Sequence, residues 1–139
     1  MIDTKKIYTY MLNRAAFFLV LVCLVHILAM NLDLYYIIPW FDIMMHTLGG
    51  VSFGFFIFAA LTRMFPSMYQ TPKFWILWIL GGVAVVVGWE IFEYILYLVN
   101  IREWNDMLDS INDIFCGLLG ALVAVLTSNK IFINVNKTQ

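Results

Sequence analysis

Hydrophobic residues run along this chain in four long stretches, without the apolar–polar alternation that marks β-strands. Each stretch is near the ~20 residues that an α-helix needs to cross the hydrocarbon core of a membrane. A helix satisfies its own backbone hydrogen bonds, which lipid cannot do. The pattern therefore predicts an all-α, polytopic membrane protein with one domain over residues 1–139 and transmembrane helices at about 14–38, 42–64, 74–99 and 108–127.

Prolines and polar residues separate the four stretches. Pro39 follows the first stretch, Pro66 and Pro72 lie between the second and third, and the sequence NIREWND (residues 100–106) precedes the fourth. The basic residues before the first stretch are also typical of a signal peptide, but the stretch is long for one and no clear small-residue cleavage site follows it. We expect the first helix to be retained.

Composition supports lipid as the solvent of this chain. Hydrophobic residues make up 63% and charged residues 12%, whereas a soluble domain carries about 25% charged residues. Membrane lipids are therefore the expected surroundings. The net charge of -1 and the absence of any basic run argue against a nucleic-acid partner.

Lysine and arginine are distributed unevenly between the two ends of the predicted helices. Positive residues accumulate on the cytoplasmic side of membrane proteins. Seven of the eight would share one side, and only Arg102 would lie on the other. We therefore expect a multi-pass protein of the cytoplasmic (inner) membrane with both termini inside. The seven are Lys5, Lys6, Arg14, Arg63, Lys73, Lys130 and Lys137.

The nine acidic residues have the opposite distribution, because all except Asp3 fall in the outward loops or the outer halves of the helices. Three helices carry ionisable pairs three or four residues apart, a spacing that places both side chains on one helix face. At 1.5 Å per residue, all of them lie within roughly 10 Å of the outer interface. The pairs are Asp42–His46, Glu90–Glu93 and Asp109–Asp113.

Depth separates these residues into two groups. Asp42, Asp106 and Asp109 lie at helix ends, where a carboxylate reaching out to interfacial water is as good an explanation as function. Deeper ionisable residues usually face the bundle interior and mark a functional site. His26 could join this site or be a hydrogen-bonded core histidine. The deeper candidates, which we predict to be catalytic, are His46, Glu90, Glu93 and Asp113.

The negative charge of so many neighbouring carboxylates must be compensated. Two like charges about 4 Å apart repel by about 4 kcal/mol at an effective dielectric constant of about 20. Either some of the carboxyl groups hold protons, or a divalent cation binds among them. Carboxylates with one imidazole suit Mg²⁺, Mn²⁺, Ca²⁺ or Zn²⁺, and no HExxH or Cys–His framework selects one of these. The candidate metal ligands are Asp42, His46, Glu90, Glu93, Asp109 and Asp113.

Small residues and aromatic residues complete the pattern. Gly50 and Gly54 form a GxxxG motif, and Gly117 and Gly120 continue the stripe of acids in the fourth helix. Glycine allows helix backbones to approach closely in lipid, so we expect helix contacts at these positions. The tryptophans and tyrosines that crowd the outward side, Trp89 among them, are predicted to form an interfacial belt.

Three motifs resemble those of a known family: FDIMMHTLGG (41–50), GWEIFEY (88–94) and DSINDIFCGLLGAL (109–122). Together they resemble the small bacterial inner-membrane proteins of unknown function typified by YjdF, and more distantly the VanZ-like family. The resemblance implies a polytopic membrane protein whose motif residues include the six candidate ligands. Because VanZ-like proteins are associated with glycopeptide resistance, it points to cell-envelope chemistry by analogy alone.

Three classes of function remain open. The first is a metal-dependent enzyme that acts from the outer face on a lipid or cell-envelope substrate, with His46 or a carboxylate as general base. The second is a cation- or proton-coupled carrier, which would also need polar groups in the inner half of the membrane unless oligomerisation supplies them. The third is an accessory or assembly protein with a structural polar cluster and a partner subunit.

Overall fold

The computed structural model describes residues 4–69, 71–99 and 107–137, with side chains up to residue 128, and every regular element among them is helical. Four helices are long and apolar enough to cross a membrane, the last of them over Met107–Ser128. The predicted all-α fold is therefore confirmed. The α-helices are α1 (Thr4–Asn31), α2 (Leu34–Ile37), α3 (Phe41–Met64), α4 (Pro72–Leu98) and α5 (Met107–Lys137), and Pro66–Met68 form a 3₁₀ turn.

The first helix does not have the predicted bounds. α1 begins at Thr4 rather than near residue 14, because Ile7, Met11 and Ala15 recur every four residues and are all buried against the bundle. It ends at Asn31 rather than at 38, since Asp33 adopts a left-handed conformation (φ 53°) before the short helix α2. The predicted single helix is thus a long helix followed by one turn.

The bounds of the other three long helices lie close to the prediction, except at the C-terminal end of α5. α3 and α4 begin and end within two residues of the predicted limits. α5 continues past residue 127 to Lys137, and the added segment contains neither glycine nor proline to stop it. The loop acids Glu103 and Asp106 lie outside the described residues.

Helix α3 is the centre of the bundle, in contact with α1, α4 and α5. Its Phe58 is fully buried and meets the ring of Phe74 at the start of α4, edge to face, with centroids 5.1 Å apart. The Ser52 hydroxyl donates to the Ala15 carbonyl of α1 at 3.0 Å. Large apolar side chains cover the outer faces of the bundle, as expected of surfaces in contact with lipid.

Close backbone contact fixes α3 against α5. A Cβ on Gly50 would overlap the Gly117 carbonyl, and one on Gly54 would lie 2.8 Å from the Ala121 Cα. Both pairs have the same separation along the chain, so the two helices run parallel and in one register. One turn before Gly50 and Gly117, this register brings His46 level with Asp113.

Helix α4 crosses the same pair in the opposite direction. The Trp78 indole N–H donates to the Gly54 carbonyl at 3.1 Å, near the end of the bundle where α4 begins. Farther along, a Cβ on Gly117 would lie 2.8 Å from a methyl group of Val86. One turn beyond Val86, Glu90 reaches the level of His46 and Asp113.

Candidate functional site

His46 lies at the meeting point of three helices and is surrounded by carboxylates. Its Nε2 atom is 3.7 Å from Asp42 Oδ1 in the same helix and 3.6 Å from Asp113 Oδ2 of α5. Its Nδ1 atom is 3.9 Å from Glu90 Oε1 of α4. With Glu93, which lies in reach of both His46 and Glu90, these residues form what we call the His46 cluster: Asp42, His46, Glu90, Glu93 and Asp113.

The two nitrogens of the His46 ring face different helices. Nε2 is directed to the two aspartates and Nδ1 to Glu90. In a neutral imidazole one nitrogen carries a proton and the other offers a lone pair. The ring can therefore offer its lone pair to a cation on one side while its proton, on the other side, faces a carboxylate.

Glu93 has a further neighbour that orients it. The Trp89 indole N–H donates to Glu93 Oε1 at 3.0 Å. The sequence favours an interfacial belt for Trp89 and a substrate pocket only as an alternative, and it does not predict this hydrogen bond to Glu93. The four-residue spacing between the two residues is the signal that could have revealed this contact.

Asp113 is the most buried member of the cluster, with 1% of its side chain exposed, compared with 10% for His46 and 24% for Asp42. Neither of its carboxylate oxygens has a hydrogen-bond partner among the residues that the structure describes. The 3.6 Å separation from His46 Nε2 is too long for a hydrogen bond. A carboxylate so placed is costly unless a proton or a cation compensates it.

The ligand atoms have the spacing that one cation requires. Asp42, His46 and Asp113 each offer an atom within 4.8 Å of the others, and His46, Glu90 and Glu93 form a second such group. Metal–ligand bonds of about 2.0–2.6 Å allow two ligands of one ion to lie up to about 5 Å apart. Both groups therefore have dimensions compatible with a divalent cation.

Two residues considered from the sequence are not in the cluster. Asp109 lies one turn from Asp113 and is half-buried, but it belongs to neither group of ligand atoms. His26 is exposed on α1, and its Nδ1 is 2.8 Å from the Tyr35 hydroxyl. The structure thus brings together five of the six candidate ligands that the sequence suggested. Their metal-binding and catalytic roles stay predictions.

Comparison with known protein families gives a match over most of the chain. A family model described as "Predicted membrane protein (DUF2238)" matches residues 4–133. No curated protein and no solved structure matches the chain. The match agrees with the resemblance to a membrane protein family, while the particular resemblance to YjdF and to VanZ-like proteins stays an expectation.

Proposed function

The chain belongs to the DUF2238 family of predicted membrane proteins, and from this premise we propose that it is a metal-dependent enzyme working in the bilayer. The His46 cluster binds one divalent cation. The substrate is a lipid or cell-envelope molecule that reaches the cluster from the membrane face at the same end of the bundle. We place the protein in the cytoplasmic membrane with this face outward, and the excess of positive residues at the opposite end of the bundle supports that orientation.

The observation that carries the proposal is the position of Asp113. Its buried carboxylate faces His46 Nε2 with no hydrogen-bond partner among the described residues. Asp42 Oδ1 approaches the same nitrogen from one turn away. A cation among these three atoms would supply the charge that Asp113 lacks, and we therefore assign the ion to Asp42, His46 and Asp113.

Three protein ligands suit a catalytic rather than a structural cation. Structural zinc sites usually have four protein ligands, whereas catalytic sites leave a position open for water or substrate. A cation held in this way polarises a phosphoryl or carbonyl oxygen, or acidifies a bound water. Glu90 faces the other nitrogen of the imidazole. Neither it nor Glu93 is a ligand in this assignment, so one of the two is placed to accept a proton.

A carrier is less well supported, because a pathway would need polar groups available beyond the cluster. The buried polar side chains deeper in the bundle that the structure describes are Ser52, Thr62 and Ser128. Each of these hydroxyls donates to a backbone carbonyl, which is the usual arrangement for a hydroxyl packed inside a helix bundle. Among the residues that the structure describes, the acidic side chains and His46 are instead concentrated at one end of the bundle.

Metal analysis of the purified protein tests the proposal. We expect wild type to carry about one divalent ion per chain, and His46→Gln to lose at least tenfold in affinity for it. His26→Gln is the matched control, since His26 pairs with Tyr35 outside the cluster and its loss should leave the metal content unchanged. Equal metal content in wild type and His46→Gln would overturn the cation site and favour an accessory protein with a structural cluster.

A further inference from the structure

A groove of about 210 Å³ opens between α1 and α3 at the end of the bundle opposite the His46 cluster. Its walls are mainly apolar, from Tyr8 and Leu12 of α1 and from Phe56 and Ala60 of α3. Ala60 lies on the groove wall with a small side chain, which leaves space that a larger residue would fill. Arg63, in the last turn of α3, forms its basic rim.

The rim of the groove is positively charged. Arg63 is exposed and forms no ion pair with any other residue in the described part of the chain. Lys5 lies three residues before Tyr8 and seven before Leu12, so it shares their face of α1. The acidic residues that the structure describes lie toward the other end of the bundle. The rim therefore attracts an anion.

An apolar wall that ends in basic residues has the chemical profile of an anionic phospholipid. Basic pockets between transmembrane helices bind anionic lipid headgroups, and anionic lipids concentrate on the side of the membrane where positive residues accumulate. We propose that this groove is a binding site for one anionic phospholipid. An acyl chain lies along Leu12 and Phe56, and the headgroup phosphate pairs with Arg63.

Native mass spectrometry of the full chain in detergent tests this site with two lipids of identical acyl chains, phosphatidylglycerol and phosphatidylcholine. We expect wild type to retain one phosphatidylglycerol in preference to phosphatidylcholine. Arg63→Gln should weaken phosphatidylglycerol binding about fivefold, the effect expected of one basic residue near a membrane surface. It should weaken phosphatidylcholine binding less, because the choline cation already offsets the phosphate charge of that lipid. Lys73→Gln is the matched control, because it removes an exposed charge in the first turn of α4 that does not line the groove.

A second variant tests the groove itself. Ala60→Phe fills the space between α1 and α3 and should weaken the binding of both lipids, with circular dichroism confirming that the helices remain. Equal retention of both lipids by wild type would overturn headgroup recognition. If Arg63→Gln and Lys73→Gln lose phosphatidylglycerol affinity to the same extent, the lipid responds to general surface charge, and the proposed site is wrong. Should Ala60→Phe not fold, the comparison of the two charge variants decides alone.

Discussion

Gly50 and Gly117 meet across the interface of α3 and α5 so closely that a Cβ on Gly50 would overlap the Gly117 carbonyl. This contact sets the register of two parallel helices. Because His46 precedes Gly50 by one turn and Asp113 precedes Gly117 by one turn, the same contact sets the distance between the imidazole and the buried carboxylate. Packing and site geometry are thus determined at one interface.

We predict that Gly50→Ala destabilises the protein by about 1–3 kcal/mol, the usual cost of overpacking a close contact. The obstacle is backbone rather than a flexible side chain, so the helices must separate. Gly49→Ala is the control, since a Cβ there meets nothing within 4 Å, and alanine's better helix propensity should make it neutral or slightly stabilising. Denaturant titration in detergent, followed by circular dichroism, measures both, and equal stabilities for the two variants would contradict the register.

We also predict that Asp113→Asn separates stability from cation binding. Without metal, the variant should be at least as stable as wild type, because asparagine keeps the shape and removes a buried charge that lacks a hydrogen-bond partner among the described residues. With a divalent ion at a hundred times its dissociation constant, wild type should gain about 2.7 kcal/mol and the variant should gain little. Thermal unfolding with and without chelator measures this difference. A variant that gains as much as wild type would show that Asp113 is not a ligand.

Much of the fold could be predicted from the sequence, because long apolar stretches leave few alternatives to helices in lipid. The stripe of Asp42, His46 and Gly50 and that of Asp109, Asp113 and Gly117 have the same four-residue spacing. This spacing predicts that polar and small residues share a face on each helix. The start of α1 was missed because its first turns are too polar to resemble a membrane span, although Ile7 and Met11 are buried.

The geometry around the imidazole could not be predicted in the same way. Spacing places His46 on a helix face, but it does not determine which nitrogen faces which carboxylate. That depends on the antiparallel crossing of α4, where Trp78 bonds to the Gly54 carbonyl and Glu90 comes level with His46. The packing that brings three helices together is a tertiary property that residue spacing does not reveal. The same packing leaves His26 outside the His46 cluster, where it pairs with Tyr35.

Membrane orientation yields a third prediction. Reporter fusions after Lys73 and after Asn100 should report opposite sides, cytoplasmic for Lys73 and external for Asn100, because positive residues accumulate at the Lys73 end of the bundle. Activity of paired alkaline phosphatase and fluorescent protein fusions measures this. If the fusion after Asn100 is cytoplasmic, the His46 cluster faces the cell interior and the outward-facing substrate site is wrong.

The last prediction distinguishes the two carboxylate pairs on either side of His46. In our assignment Asp42 and Asp113 hold the cation at Nε2, while Glu90 lies at Nδ1 and one of the two glutamates accepts a proton. Asp42→Asn with Asp113→Asn should therefore abolish metal binding. Glu90→Gln with Glu93→Gln should retain the ion with an affinity lowered about 10–100-fold, the usual effect of losing carboxylate partners of a ligating histidine. Elemental analysis and titration calorimetry measure both variants, which remove the same number of carboxylates from one cluster. The reverse result, with the ion lost only from the glutamate variant, would move the cation to the Nδ1 side.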